Sequence, residues 1–301
     1  MANTLTAYTP ELWSRESVRI LHEVMKMPGL VRRDFSTELA EFGDTVNTRK
    51  PAKFGTADDV PTDGTDMTVS DVSSTNIPVT LNKHKHKTFK ITSREATRSF
   101  KNLVEIYLEP NMLSLANVVD RDVLSLYADI TPIYTAASAG GLKNAFNACR
   151  LKLNKQLAPE PGRVAVLSDD DEAGLSNLDM LMQVNTSGTT ETLRNGQVGR
   201  YKGFDIFRCS NVIAVGSPPT RYNLLFHPDA FTLVVRVPDN ATPDTPGANV
   251  SVATDPDAGI ALRTTVSFNH LKSFATYVSC DILYGVKTLD SNLAVVLRGT
   301  Y

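Results

Sequence analysis

Two segments, Asp44-Thr45-Val46-Asn47-Thr48-Arg49-Lys50-Pro51-Ala52-Lys53-Phe54 and Lys83-His84-Lys85-His86-Lys87-Thr88-Phe89-Lys90-Ile91-Thr92-Ser93, read as strand-like arms around a polar centre at 55–80. That centre is rich in Gly, Thr, Ser and Asp, and it carries Asp58, Asp59, Asp63, Asp66 and Asp71 with no Lys or Arg. An isolated two-stranded ribbon is marginal in water, and loops beyond roughly 12–15 residues are usually functional or disordered. A long ribbon with an acidic tip and a basic base is therefore expected to lie on another molecule, most simply a second copy of the same chain.

The composition around the ribbon is that of an ordinary folded protein. At 301 residues and 32.9 kDa the chain is long enough for one large domain or two modest ones. Hydrophobic residues make up 42% and charged residues 21%, which argues against wholesale disorder. The formal net charge of −2 supplies no general drive toward nucleic acid, and any such contact is expected to be weak and nonspecific. No apolar run approaches the roughly 20 residues that span a bilayer, and the amino terminus lacks a charged-then-apolar signal pattern, so no membrane association is expected. Cys149, Cys209 and Cys280 are far apart, odd in number and set among apolar neighbours. They read as buried free thiols in a reducing cytoplasm.

The remaining elements follow from periodicity. Thr9-Pro10-Glu11 is a helix start, with Leu12, Trp13, Ile20, Leu21, Val24 and Met25 on one stripe and Pro28-Gly29 as its stop. This helix packs on its own domain or docks partly on a neighbour. Residues 30–35 read as a short strand. Val104, Leu108, Met112, Leu115, Val119 and Leu126 recur at helical spacing, with Leu113, Ala116, Val123 and Tyr127 widening the stripe. Pro110 either kinks this long helix or opens its main segment. A second helix is expected over 142–157, with Phe146, Cys149, Leu153 and Leu157 on one face. Buried strands are expected at 163–167 and 223–226, and a strand at 204–208 with Phe204 and Ile206 alternating against Asp205 and Phe207. Further strands fall around 232–237, 259–269, 274–286 and 293–297, and this carboxy-terminal β region must pair with strands from earlier in the chain. Phe204, Phe207, Phe226, Phe231, Phe268, Phe274 and Tyr277 lie in apolar alternation and read as core.

No catalytic framework is evident in the sequence. There is no Gly-x-Ser-x-Gly elbow, phosphate-binding loop or His-Glu-x-x-His pair, so the chain is expected not to be an enzyme and to need no cofactor. His84 and His86 share one face of a strand as a metal pair would, but Lys83, Lys85 and Lys87 oppose a dication, and no metal site is assigned. Asp169-Asp170-Asp171-Glu172 reads as the capped first turn of a helix rather than a hard-cation site.

The order of these elements resembles the major capsid (coat) proteins of tailed bacteriophages, the Hong Kong 97-type fold. Local likenesses to short-tailed phage coat proteins lie in Ala2-Asn3-Thr4-Leu5-Thr6, in Arg33-Asp34-Phe35 and in Leu224-Leu225-Phe226-His227-Pro228-Asp229-Ala230-Phe231. Asp281-Ile282-Leu283-Tyr284-Gly285-Val286 and Ala294-Val295-Val296-Leu297 fit the same family. The resemblance implies an α+β fold with an amino-terminal arm (1–43), an extended E-loop hairpin (44–93) and a peripheral domain with its spine helix (94–139). An axial domain (140–256) and returning carboxy-terminal strands (257–301) would complete it. It further implies self-assembly into pentamers and hexamers of an icosahedral head around double-stranded DNA, in a virion assembled in the host bacterial cytoplasm. A scaffolding protein, a portal and a decoration protein are the implied partners. Candidate subunit-interface residues are Asp58, Asp59, Asp63, Lys83, Lys85, Lys87, Arg94 and Trp13. The alternatives are an encapsulin-type compartment shell and a soluble α+β enzyme or ligand-binding protein.

Overall fold

The structure is a computed structural model that describes residues 15, 17, 25–33, 45–50, 60, 69, 75–94, 103–131, 133–177, 199–236, 248–255, 260–270 and 274–300. In chain order these form β1 (Thr45–Lys50), β2 (Thr75–Thr80), β3 (Lys83–Thr92), helix α1 (Leu103–Leu124), β4 (Ile133–Ala136), helix α2 (Leu142–Lys155), β5 (Val164–Leu167) and helix α3 (Asp169–Ser176). They continue with β6 (Arg200–Tyr201), β7 (Phe204–Arg208), β8 (Ala214–Val215), β9 (Thr220–Phe226), β10 (Phe231–Arg236), β11 (Ala248–Asp255), β12 (Ile260–Asn269), β13 (Ala275–Thr288) and β14 (Ala294–Gly299).

Two sheets carry the body. The larger has the order β4-β14-β9-β5-β7-β6, with β8 attached to β9. β5 is apolar along its whole length, as are β9 over Leu224–Phe226 and β14 over Ala294–Leu297, because both faces are covered there. Val164, Val166, Leu224, Phe226, Ala294 and Val296 face one core with α1, while Ala165, Leu167, Leu225, Val295 and Leu297 face a second core under α2. This strict alternation is the two-residue period of a strand read on two buried sides. The second core is closed by Phe146, which meets Tyr201 and Phe204 edge-on.

The smaller sheet has the order β10-β13-β12-β11, with β3 on β13 as well. β13 is its hub. Over Ala275–Asp281 it lies between β12 and β3, and at Leu283–Tyr284 between β10 and β3. β10 and β11 therefore join this sheet, although β10 follows directly on β9 of the larger one. As expected, strands late in the chain interleave with early ones: β14 sits between β4 and β9, and β13 receives β3.

α1 bridges the sheets. Its 22 residues span about 33 Å, and Leu108, Met112, Leu115, Ala116, Val119 and Val123 are buried along it. Pro110 lies inside the helix, which begins at Leu103, so the reading in which it opens the main segment is corrected. Leu113 is exposed rather than part of the stripe, since it falls on the far side from Met112 and Leu115. Met25, Met27 and Val31 pack into the same core. Of the strand expected at 30–35, residues 34–35 lie outside the described residues, and 30–33 make one parallel bridge, Arg32 to Thr232.

α2 ends earlier than its sequence suggests. Leu157 is not on the buried face; it has φ +56° and is 85% exposed. The Ala158 N–H donates to the Leu153 carbonyl and the Leu157 N–H to that of Asn154, a left-handed helix cap of the kind glycine favours. Leu157→Gly is expected to raise stability by about 0.5–1 kcal/mol through relief of this conformation, read as a higher thermal midpoint.

All three cysteines are free and buried. Burial pushes the Cys149 thiol up to about 12 and that of Cys280 up to about 11, so neither is a ready thiolate. The aromatic expectation holds for Phe204, Phe226 and Phe231. It fails for Phe207, for Phe268 (50% exposed) and for Phe274 (63% exposed), which lie at or beside strand ends.

Candidate functional site

The ribbon is built differently from the sequence reading. β1 pairs not with β3 but with β2, from Thr45 opposite Thr80 to Lys50 opposite Thr75. The second arm is thus Thr75–Thr80, within what read as the polar centre, and Lys83–Thr92 is a strand of the main sheet. The reason is burial. In β3, Phe89 and Ile91 share a face with Lys83, Lys85 and Lys87, in register with Val278, Thr276, Tyr284, Ile282 and Cys280 of β13. Phe89 reaches Tyr107 of α1 (ring centroids 6.1 Å), and the Asn111 amide donates to the Lys87 carbonyl at 3.4 Å. A two-stranded ribbon offers no comparable cover.

The root of the ribbon is held at one close approach. A Cβ on Gly285 would stand 2.3 Å from the Thr80 carbonyl oxygen and 3.0 Å from its carbon, so only glycine lets the β2–β3 junction cross β13. Val79, Leu81 and Val234 close a small apolar cluster beside the crossing. In register, Gly285 and Val234 lie on the sheet face opposite α1, so the ribbon departs from that face.

The predicted interface residues separate into three groups. Trp13, Asp58, Asp59 and Asp63 lie outside the described residues. Lys83 is engaged within the chain: its Nζ lies 3.1 Å from Asp122 Oδ2, which also accepts from the Tyr284 hydroxyl at 2.6 Å. Burial, then this bond, pushes the Tyr284 phenol pKa up. Lys85, Lys87 and Arg94 are exposed. Lysines on a sheet-edge strand such as β3 also discourage unwanted edge-to-edge pairing.

On the opposite face, His84 Nε2 lies 2.7 Å from Asp281 Oδ2. Arg263 binds the same buried carboxylate with two bonds, Nε to Oδ1 at 3.1 Å and Nη2 to Oδ2 at 2.9 Å. His84 is thus committed to a carboxylate within the sheet. Among the described residues no group of three His, Cys, Asp or Glu is placed to hold a metal ion.

The acidic run at 169–172 starts α3 as expected. Ser168 Oγ accepts from the Asp171 N–H and donates to Asp171 Oδ2 at 2.7 Å. Sequence reasoning missed its depth. Asp171 is fully buried and also accepts from Arg221 Nε (3.2 Å) and Asn223 Nδ2 (2.7 Å), while Arg221 Nη1 reaches Asp170 at 2.7 Å. Asn223 Oδ1 accepts the Ser168 N–H at 2.8 Å. Gly299 of β14 leaves room for this knot, since a Cβ there would lie 2.6 Å from Asp171 Oδ1.

A second buried carboxylate fastens the segment before the ribbon. Asp120 of α1 accepts the backbone N–H groups of Lys26 (3.3 Å) and Met27 (3.1 Å). Burial pushes its carboxyl up to about 6 from 3.8, against the pull of those two bonds and the Lys26 charge. Because the folded value is the higher, the linked stability is complete below about pH 4 and is lost as pH rises through about 6. Asp120→Asn is therefore expected to gain on the wild type by about 2–3 kcal/mol between pH 4 and 7. Urea denaturation across that range checks it; a pH-independent gap sinks the assignment.

The two interleaved sheets, the bridging helix and the ribbon form the Hong Kong 97-type fold. No family model matches the chain, and no curated protein matches it by sequence. Among solved structures it is similar to a chain from Mycobacterium phage Che8, with 20% identity, 91% of this chain and 90% of that chain covered, and a TM-score of 0.68. It is also similar to the capsid structure of the cyanophage P-SCSP1u (12% identity, 90% and 86% covered, TM-score 0.66) and to a virus-like particle from Pyrococcus furiosus (12% identity, 95% and 98% covered, TM-score 0.52).

Proposed function

We propose that this chain is the major capsid subunit of a tailed phage, a structural protein rather than an enzyme, assembling into pentamers and hexamers of an icosahedral head that encloses double-stranded DNA. The observation that carries the reading is the ribbon rooted at Gly285, which leaves the body as only two paired strands among the described residues and gains lasting order by lying on a neighbour. The similarity to a capsid structure over nine-tenths of the chain supports it. In this reading β3, α1 and β10–β13 form the peripheral domain, and β4–β9, β14, α2 and α3 form the axial one. The exposed Lys85, Lys87 and Arg94, together with Trp13, Asp58, Asp59 and Asp63, belong to subunit contacts. A scaffolding protein guides assembly in the host cytoplasm, a portal and a decoration protein join the shell, and packaged DNA touches it weakly.

A cellular compartment shell of encapsulin type is the second reading, favoured by the likeness to the virus-like particle. Negative-stain electron microscopy with light scattering on the purified protein, with and without a candidate scaffold, tests both. Closed shells or capsomer-sized rings support a shell subunit, and co-purified nucleic acid or cargo protein separates the two kinds. A homogeneous monomer under every condition overturns both.

A further inference from the structure

We propose that Lys143, Asn147 and Arg150 of α2, with Lys202 of the β6–β7 turn, form a binding site for a phosphate group. The site lies on the α2 side of the larger sheet and stands independently of the shell-subunit reading. Lys143, Asn147 and Arg150 follow one another at i, i+4 and i+7, a single stripe along the helix. The turn beside the stripe is tight, with Lys202 at φ +50° and Gly203 at φ +89°. It brings the Lys202 ammonium onto the helix, where Nζ donates to the Lys143 carbonyl at 2.9 Å and to Asn147 Oδ1 at 2.6 Å.

Both of those acceptors are neutral, so the charge of Lys202 is left unanswered. Burial lowers its pKa, and the charges of Lys143 and Arg150 lower it further. Lys143 occupies the first turn of α2, where a cation opposes the helix dipole and no acid accompanies it. The neighbouring carboxylates are engaged elsewhere: Asp205 lies 3.6 Å from Arg200 Nε, and Glu160 acts on Arg163. Among the described residues no carboxylate pairs with any of the three cations. The fold thus gathers like charges against their repulsion, and an anion between them would turn that repulsion into attraction. With Oδ1 of Asn147 held by Lys202, its Nδ2 group is the half of the amide left to donate to such a ligand. A phosphate group offers tetrahedrally spread oxygens to donors arriving from two elements, whereas a carboxylate offers two in one plane. Inorganic phosphate and the backbone of a nucleic acid present the same chemistry, and they are separated by experiment.

The test compares two charge-neutralised pairs in the full-length chain. Lys143→Gln with Arg150→Gln removes two of the site's cations. Lys90→Gln with Arg121→Gln, the control pair, removes the same charge from exposed positions elsewhere. Inorganic phosphate is expected to raise the thermal midpoint of the wild type and of the control pair by about 2–4 °C over chloride at equal ionic strength. The site pair should lose that shift, yet melt in chloride at or above the wild type because its own repulsion is gone. No phosphate shift in the wild type overturns the proposal, as does an equal shift in both pairs or an equal shift with acetate. The anisotropy of a labelled short DNA duplex then identifies the source of the phosphate. An affinity that falls about tenfold, with a salt slope lower by about 2, in the site pair alone assigns the site to backbone phosphates. Duplex binding that is the same in both pairs, with the phosphate shift lost in the site pair, assigns it to free phosphate.

Discussion

Gly285→Ala is expected to dislodge the root of the ribbon and to abolish assembly. The added methyl would meet the Thr80 carbonyl oxygen at 2.3 Å, and both partners are backbone, so no rotamer change relieves the contact. Either Thr80 and Leu81 move outward or β13 bends. The first breaks the cluster of Val79, Leu81 and Val234; the second disturbs the strand on which β3, β10 and β12 all pair. Overpacking of this kind costs about 1–3 kcal/mol, and exposing even one of the three clustered side chains adds about 1.5 kcal/mol or more. A loss of about 3 kcal/mol in urea denaturation is therefore expected, with early proteolytic cleavage near the ribbon base. An alanine variant with the wild-type midpoint and normal particles would show that the crossing is looser than described.

Asp171→Ala is expected to be as damaging by a different route. The substitution removes the buried carboxylate that answers the Arg221 guanidinium, and it removes the acceptor shared by Asn223 and Ser168. Breaking one side of a buried ion pair typically costs about 3–5 kcal/mol, because the remaining charge keeps its desolvation penalty. The knot ties the β5–α3 turn to β9 and abuts β14, so the larger sheet should lose cooperativity as well as stability. Asp171→Asn, which keeps the shape and one acceptor, should lose roughly half as much. Equal, small losses in both variants would mean that water replaces the carboxylate.

The contrast between what was legible in the chain and what was not follows physical lines. The helices over 142–155 and 103–124, and the strands at 164–167, 220–226, 260–269, 275–288 and 294–299, were visible because their apolar period is local. The ribbon's true partner strand was not. Ile77 and Val79 are β-formers in a polar surround, and the destination of the lysine-rich strand is set by β13, about 190 residues further on. Periodicity marks Leu113, Phe268 and Phe274 as apolar without saying what covers them. Of the candidate interface residues, the strand position of Lys83, Lys85 and Lys87 was legible, but Lys83's commitment to Asp122 required the fold. The burial of Asp120 had no sequence signal beyond its place in an apolar helix, and that of Asp171 had none within its acidic run, since a carboxylate looks the same whether water or a guanidinium answers it.

The positions of β13 and β14 bear on how the chain is made. Every strand that pairs with β13 is synthesised before it, and β14 enters the middle of a sheet whose other strands already exist. A chain still on the ribosome can form α1, α2 and the β11–β12 hairpin, but it cannot close either sheet until these two strands emerge. Such distant pairings are slow to form and leave open edges meanwhile. Closure of both sheets therefore waits for β13 and β14, and the ribbon root, which crosses β13 at Gly285, is unfinished until β13 has emerged.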